Sequence, residues 1–384
     1  MQGTLKKRGP YWYIIVDLKS DDGKRKQKWI NTKCEKKPEA EKYLRNVLTQ
    51  MDNNTYVSPQ NIYFTDFMVD WLYNVIKNKI QQTTWDSYKT AIEKHIVPFF
   101  KNNFNNLTLQ DVQAIHIQKY YNEKHKGKNS KDNGLSANSL SKHHANIKSA
   151  LDYALRINLI SYNPADRVEL PKKEKFHSSY YNVDQIDKLI EACKGTEIES
   201  AVYITARYGL RRGEICGLKW SAIDFEDGTL IINETRTRVG KELIVKKPKS
   251  ESSLRTLPLI PEVKEYLKEL FEKQKVNKKH YGKDYDDSGY VCCWDDGTPL
   301  RTDFLNHKFS KILKKNSLPH IRFHDLRHST ASYLIKNGVD LKNIQMWLGH
   351  ADFSTTADIY SHIDMEMKEK TANKINDIFK KKNN

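Results

Sequence analysis

The feature that most constrains this chain is a change of hydrophobic period along it, punctuated by the stretch Pro171-Lys-Lys-Glu-Lys-Phe176. Tyr11 to Val16 has strand composition, and Asp22-Gly23 is a hairpin signal before Lys24 to Ile30 resumes as a second strand. From Pro38 the period becomes helical, with Ala40, Tyr43, Leu44, Val47, Leu48 and Met51 spaced to cover one face of a sheet. Asn61 to Leu170 reads as helical throughout: Phe67, Trp71 and Val75 mark one stripe, Trp85, Tyr88, Ile92 and Ile96 another. Thr108-Leu-Gln-Asp111 resembles a capping box, and the polar stretch Lys124 to Asn138 predicts a loop. After the charged, proline-led linker, helices over Val183 to Cys193 and Ile198 to Tyr208 precede strand signals at Thr229 to Asn233, Glu242 to Lys246 and Leu254 to Pro258. The expected fold is multidomain α+β. A small sheet plus helix spans 1–58, an all-helical domain 61–170, a linker 171–180, and a mixed, mainly helical domain with a small antiparallel sheet 181–384.

Charge narrows the partner. The 384 residues carry 65 Lys and Arg against 48 Asp and Glu, a formal +17, and for a protein without a bilayer-length apolar run the commonest polyanion is nucleic acid. Met1 to Pro10 is polar rather than a signal-peptide core, so a cytosolic protein is expected. The five cysteines form no C-x-x-C pair, which suggests neither a disulfide framework nor a thiolate metal site. If the first helix covers one face of the N-terminal sheet, the other face is left to Lys, Arg and aromatic side chains, a combination suited to phosphates and groove edges. Lys6, Lys7, Arg8, Tyr11, Trp12, Lys24, Arg25, Lys26 and Lys28 are the candidates there, and Lys142 and Lys148 on the helical domain. A merely solvated face is the alternative.

Three stretches in the last segment hold polar residues where packing would not ask for them. In Tyr208-Gly-Leu-Arg-Arg-Gly-Glu214, Gly209 breaks a helix and Arg211 sits between apolar returns; a salt bridge from Arg211 or Arg212 to Glu214 is the structural explanation. In Phe323-His-Asp-Leu-Arg-His328, His324 and Arg327 share a face if helical. His320, His324 and His328 at spacing four also permit a metal reading, against which no Glu follows the first His and no acidic ligand is evident. Leu348-Gly-His350 is a glycine-capped helix end with a histidine beyond it, and Tyr360 ten residues later would by itself be a packing aromatic.

Together these make a coherent chemistry. Attack of a tyrosine on a phosphodiester places extra negative charge on the non-bridging oxygens, and two guanidiniums can hold them by bidentate hydrogen bonds. The phenol, with a free pKa of about 10, must lose or share its proton. The departing sugar hydroxyl needs a general acid, a role a lysine on a strand turn can fill. No metal and no nucleotide cofactor is called for.

With those residues in hand, the chain resembles the tyrosine recombinases, and among them the integrases of phages and conjugative transposons. The resemblance rests on a G-L-R-x-x-E box, a lysine on a β-hairpin, an H-x-x-R pair, a His after L-G and a Tyr downstream, in that order. It implies that Arg211, Lys249, His324, Arg327, His350 and Tyr360 form the active site, with Glu214 orienting it from behind. Lys246, Lys247 and Lys249 are all available; matching Arg255 and Pro258 to the family's R-x-x-P ending selects Lys249, with Lys247 as fallback. The resemblance further implies an arm-type DNA-binding domain, a SAM-like core-binding domain and a catalytic domain in the three segments. It implies strand cleavage through a 3′-phosphotyrosine and a Holliday junction, integrating and excising a mobile element, by a homotetramer on double-stranded DNA with core and arm sites. An excisionase and a DNA-bending host factor are possible partners, and a bacterial, nucleoid-associated location is expected. The rival readings are a type IB topoisomerase, which the arm-like domain argues against, and a non-catalytic DNA-binding protein.

Overall fold

The computed structural model describes residues 3–19, 25–52, 56, 60–126, 134–173, 180–239, 242–246, 254–349 and 372. It divides into two compact units, Met1–Lys175 and Phe176–Asn384. A small antiparallel sheet at the N terminus, a helical region and a mixed second unit bear out the multidomain α+β expectation. No helix among the described residues is long and apolar enough to cross a membrane.

The first unit opens with strands β1 (Gly3–Arg8), β2 (Tyr11–Lys19) and β3 (Arg25–Asn31), ordered β1-β2-β3. Register sets Leu5 and Ile30 opposite Ile14, so these residues and Val16 share the face that packs on helix α1 (Lys37–Asp52) through Val47 and Met51. Tyr43, expected in that stripe, is exposed. Strand alternation also corrects the expected contact face. Lys6, Arg8, Tyr11, Tyr13 and Trp29 lie on the face away from α1, whereas Lys7 and Trp12 pair with each other on the α1 side. On the open face Lys6 Nζ stands 5.6 Å from the centre of the exposed Trp29 ring. Lys24 lies outside the described residues, and at Arg25, Lys26 and Lys28 only the backbone is described.

Helix α2 (Phe64–Asp70) continues through Trp71–Ile76, and α3 (Gln82–Ala91) runs through Ile92–Ile96 into α4 (Val97–Asn103). Helices α5 (Ala114–Lys126) and α6 (Ala137–Arg156) complete a core in which Trp71, Phe100, Tyr120, Tyr121, Ile147 and Leu151 are buried. The helix expected from Thr108 starts later. Thr108 makes no cap; its hydroxyl donates to Asp111 at 2.6 Å, Leu109–Asp111 forms a single 3₁₀ turn, and extended Val112 delays α5 to Ala114. Lys142 is exposed on α6, while the Lys148 ammonium is already held by Asp166, with Asp152 3.9 Å away.

The second unit begins with α7 (Val183–Cys193), whose capping box is Asn182 with Gln185, and α8 (Glu199–Tyr208). Gly209 ends α8 in the left-handed conformation at φ 65°, and α9 (Arg212–Gly217) follows. Strands β4 (Ile223–Asp224), β5 (Thr229–Ile232) and, further on, a strand at Arg255–Pro258 form one antiparallel sheet centred on β5. Between them β6 (Thr235–Val239) and β7 (Glu242–Lys246) form a separate hairpin, which makes Arg255–Pro258 β8. Sequence periodicity missed β1, β4 and β6: β1 carries a single large apolar residue, Leu5, β4 is too short, and β6, Thr-Arg-Thr-Arg-Val, lacks an apolar face. Gly213 and Gly217 let the β6 backbone approach α9: a Cβ on Gly217 would sit 3.0 Å from the Glu234 carbonyl oxygen. Helices α10 (Pro261–Tyr281), α11 (Thr302–Lys315), α12 (Asp325–Lys336) and α13 (Leu341–Leu348) enclose the core.

Candidate active site

Helix α12 is buried on most of its circumference and carries few large apolar side chains, so its polar groups must satisfy themselves locally. Ser329 and Thr330 hydroxyls donate to the Asp325 and Leu326 carbonyls at 2.9 and 3.0 Å, and Thr330 lies 3.2 Å from the Ala206 carbonyl of α8. These small side chains let α8 and α12 pack closely, which brings the α8 terminus to Arg327. That guanidinium is 1% exposed and donates through Nη1 to the Gly209 carbonyl at 2.9 Å.

Arg211, just after the glycine cap, has an extended backbone (ψ 151°) at the N-cap of α9. Its backbone N–H donates to Glu214 Oε2 at 3.0 Å, its Nη1 to Glu214 Oε1 at 2.7 Å, and its Nη2 to the Gly349 carbonyl at 2.6 Å. Its side chain keeps a third of its surface exposed, so it faces the open side of the cluster. Glu214 is 1% exposed and is gripped from the other side by Arg255 of β8, whose Nη2 donates to Oε2 at 3.0 Å and whose Nε donates to the Trp347 carbonyl at 2.8 Å. Burial by itself would raise the Glu214 carboxyl; the Arg255 charge and hydrogen bonds, with Arg211 adding to them, outweigh it and hold the pKa at about 2. The ion pair offered as a structural explanation for Arg211 therefore exists, and it is what aims the guanidinium.

His324 sits at the N-cap of α12 with its ring 5.3 Å from that of His328. An edge reaches solvent, yet surrounding atoms desolvate the ring, and the neighbouring His328, Arg327 and Arg211 charges add to this in lowering its pKa to about 4. Asp325, beside it, accepts from the Arg322 backbone N–H at 2.7 Å and from its guanidinium at 3.1 and 2.8 Å. The metal alternative needs His320 and His324 as joint ligands; His320 is exposed in the loop before α12, and no group of three metal-ligating side chains occurs among the described residues.

Arg211, Glu214, His324 and Arg327 thus meet in one place, from α8–α9 and α12. Lys247, Lys249, His350 and Tyr360 lie outside the described residues. Lys249 follows β7 by three positions, and His350 follows the Gly349 cap, which has φ 69°. Arg255 is the residue whose contacts sequence reasoning missed. Its signal was strand parity: in Arg255-Thr-Leu-Pro258 the arginine shares a face with buried Leu257, and a guanidinium on a core face requires a carboxylate. Chemically, Glu214 faces three guanidiniums, those of Arg211, Arg255 and Arg327, which leaves a surplus of positive charge where Arg211 and His324 reach the surface. Such a surplus, presented by planar forks, suits a tetrahedral oxyanion.

Comparison with known proteins places this geometry. The phage integrase family profile matches residues 180–367, the N-terminal SAM-like domain of phage integrases 63–125, and the Arm DNA-binding domain 4–51. The chain is 29% identical to the Tyrosine recombinase XerC-like protein of Caldanaerobacter subterraneus subsp. tengcongensis, over 96% of each. It is 25% identical to the ICEBs1 integrase of Bacillus subtilis, over 77% of each. Among solved structures, the Tn1549 transposon integrase in complex with transposon right end DNA superposes with a TM-score of 0.65 at 18% identity, over 78% of this chain and 95% of that one. A lambda integrase tetramer bound to a Holliday junction gives 0.61 at 17% identity, over 92% and 94%. The chain belongs to the phage integrase family of tyrosine recombinases, enzymes that cleave and rejoin DNA strands.

Proposed function

We propose that the chain is a site-specific recombinase that integrates and excises a mobile element, and that Tyr360 is its nucleophile. The observation that carries this is the cluster of Arg211, Arg327 and His324 around a single orienting carboxylate. Arg211 and Arg327 hold the non-bridging oxygens of the scissile phosphate. The Tyr360 oxygen attacks phosphorus as its phenolic proton passes to solvent, the bond to the 5′ oxygen breaks, and Lys249, or Lys247 in its stead, protonates that oxygen. A 3′-phosphotyrosine and a free 5′-hydroxyl result, and attack by a partner strand's 5′-hydroxyl reverses the chemistry onto a new strand. His324, neutral near pH 7 without DNA, gains a hydrogen-bonding partner and a rise in pKa when the phosphate arrives; His350 completes the cradle. Bond energy is conserved in the covalent link, so the sequence needs no nucleotide cofactor.

The segments then divide the work. Residues 1–58 bind arm sites through the open sheet face bearing Lys6, Arg8, Tyr11 and Trp29; 61–170 bind the core site, with Lys142 free to reach phosphate and Lys148 available only if it leaves Asp166; 181–384 catalyse. Four copies acting through a Holliday junction on double-stranded DNA, as in the lambda assembly, would exchange both strands in turn. An excisionase and a DNA-bending host factor would set direction, in a bacterial cytoplasm close to the nucleoid.

Plasmids carrying the repeated attachment core from the DNA flanking the gene test this. Recombinant products are expected; relaxation without recombinants would make it a topoisomerase, and neither product would reduce it to a binding protein.

A further inference from the structure

Arg255 has no place in the chemistry above, yet it is 9% exposed and joins three separate elements. It sits on β8, donates to Glu214 of α9 at 3.0 Å, and donates through Nε to the Trp347 carbonyl of α13 at 2.8 Å. Arg211 makes the parallel pair of bonds, to Glu214 at 2.7 Å and to the Gly349 carbonyl at 2.6 Å. Two guanidiniums thus fork from one buried carboxylate to two carbonyls at the C-terminal end of α13. Those carbonyls are otherwise the orphan acceptors of a helix end. The Trp347 indole adds a third fastening: it stacks on Tyr208 at 5.6 Å with the rings 2° from parallel, and the Tyr208 hydroxyl donates to the Pro258 carbonyl of β8 at 3.0 Å.

We infer that Arg255 is a positioning residue for strand cleavage, fixing the end of α13, from which the chain runs on to His350 and Tyr360, against the Glu214–Arg211 pair that orients the phosphate. The assignment rests on Tyr360 as nucleophile. A planar fork is required, because an ammonium is a point donor that cannot serve the carboxylate and the carbonyl together in fixed geometry. The competing account is that Arg255 merely steadies residues 247–253, which precede β8 and contain the candidate general acid.

The two differ in which half of the reaction they disturb. Arg255→Lys and Arg255→Ala in the full chain are compared with the unsubstituted protein on nicked suicide substrates, with either oxygen or sulfur at the scissile 5′ position. A thiol is a far stronger acid than a sugar alcohol, so a thiolate leaves without a proton and bypasses the general acid. The expected result is a cleavage rate at saturating protein lowered roughly 10- to 100-fold, by the same factor on both substrates, since misplacement of a reacting group by about 1 Å costs that much. The protein concentration for half-saturation should change less than about threefold, because the substitutions leave the phosphate contacts of the other domains in place. Recovery on the sulfur substrate would overturn the inference in favour of the competing account. So would an unchanged rate, or a loss matched by weaker binding and fully restored at saturation. If Arg255→Ala does not fold, Arg255→Lys, which keeps a charge beside Glu214, carries the comparison. Tyr360→Phe in parallel reports on the nucleophile alone, so failure of that reading is seen separately.

Discussion

At the scale of single residues, the site is organised by a carboxylate that does no chemistry. Glu214 is buried and kept ionised by Arg255 and Arg211, so its neutral isostere leaves Arg255 buried beside a weaker acceptor. Glu214→Gln is expected to destabilise the second unit by about 3 kcal/mol, the low end for breaking a buried pair, measured by chemical denaturation. Cleavage should fall as well, because Arg211 loses its aim. Part of the cluster was legible in the sequence: Arg211 and Arg327 are charged within apolar stretches, and the structure brings them together with His324. For Arg255 strand parity signals a buried guanidinium that needs a carboxylate, but not which one, since its partners come from α9 and α13 meeting β8 and no local pattern encodes that meeting. Lys7 and Trp12 failed for the opposite reason: composition put them with the basic, aromatic face, while strand parity turns them toward α1.

Among elements, two junctions bear most of the constraint. Gly209 closes α8 at φ 65° and passes its carbonyl to Arg327, and a Cβ there would lie 2.5 Å from Leu348 Cδ2 of α13. Gly209→Ala should therefore cost about 2 to 4 kcal/mol, combining left-handed backbone strain with overpacking, read as a lowered denaturation midpoint. In the helical region α5 and α6 are joined by the buried pair Tyr120 and His143, whose hydroxyl and Nδ1 are 2.7 Å apart. Desolvation first, then the charges of His95 and Lys124, lower the His143 pKa to about 4. The unfolded chain, with a histidine pKa near 6.5, takes up that proton first, so stability is complete above about pH 6.5 and is lost as pH falls toward 4. Tyrosine fluorescence or hydrogen exchange of the helical region across pH 7 to 4 should show this, and His143→Gln should flatten the dependence. The helices were visible in advance from their apolar spacing; the late start of α5 was not, because the Thr108–Asp111 hydrogen bond competes with the cap that the spacing suggested.

For the whole molecule, a formal charge of +17 and a basic, aromatic sheet face turned away from α1 lead us to expect phosphate contacts as the main source of DNA affinity. DNA binding measured over a range of salt should weaken steeply, with a log–log slope near 0.9 per phosphate neutralised. Domain order was readable because the hydrophobic period changes along the chain; the division of the second unit into a three-stranded sheet and a separate hairpin was not, since β6 carries no apolar alternation. The central claim is that Tyr360 forms the covalent bond to DNA. It is tested most directly by incubating the unsubstituted protein and Tyr360→Phe with a nicked suicide substrate bearing the attachment core and resolving protein–DNA adducts under denaturing conditions. An adduct with the former and none with the latter, at undiminished DNA binding, is expected; an adduct that persists in Tyr360→Phe would contradict it.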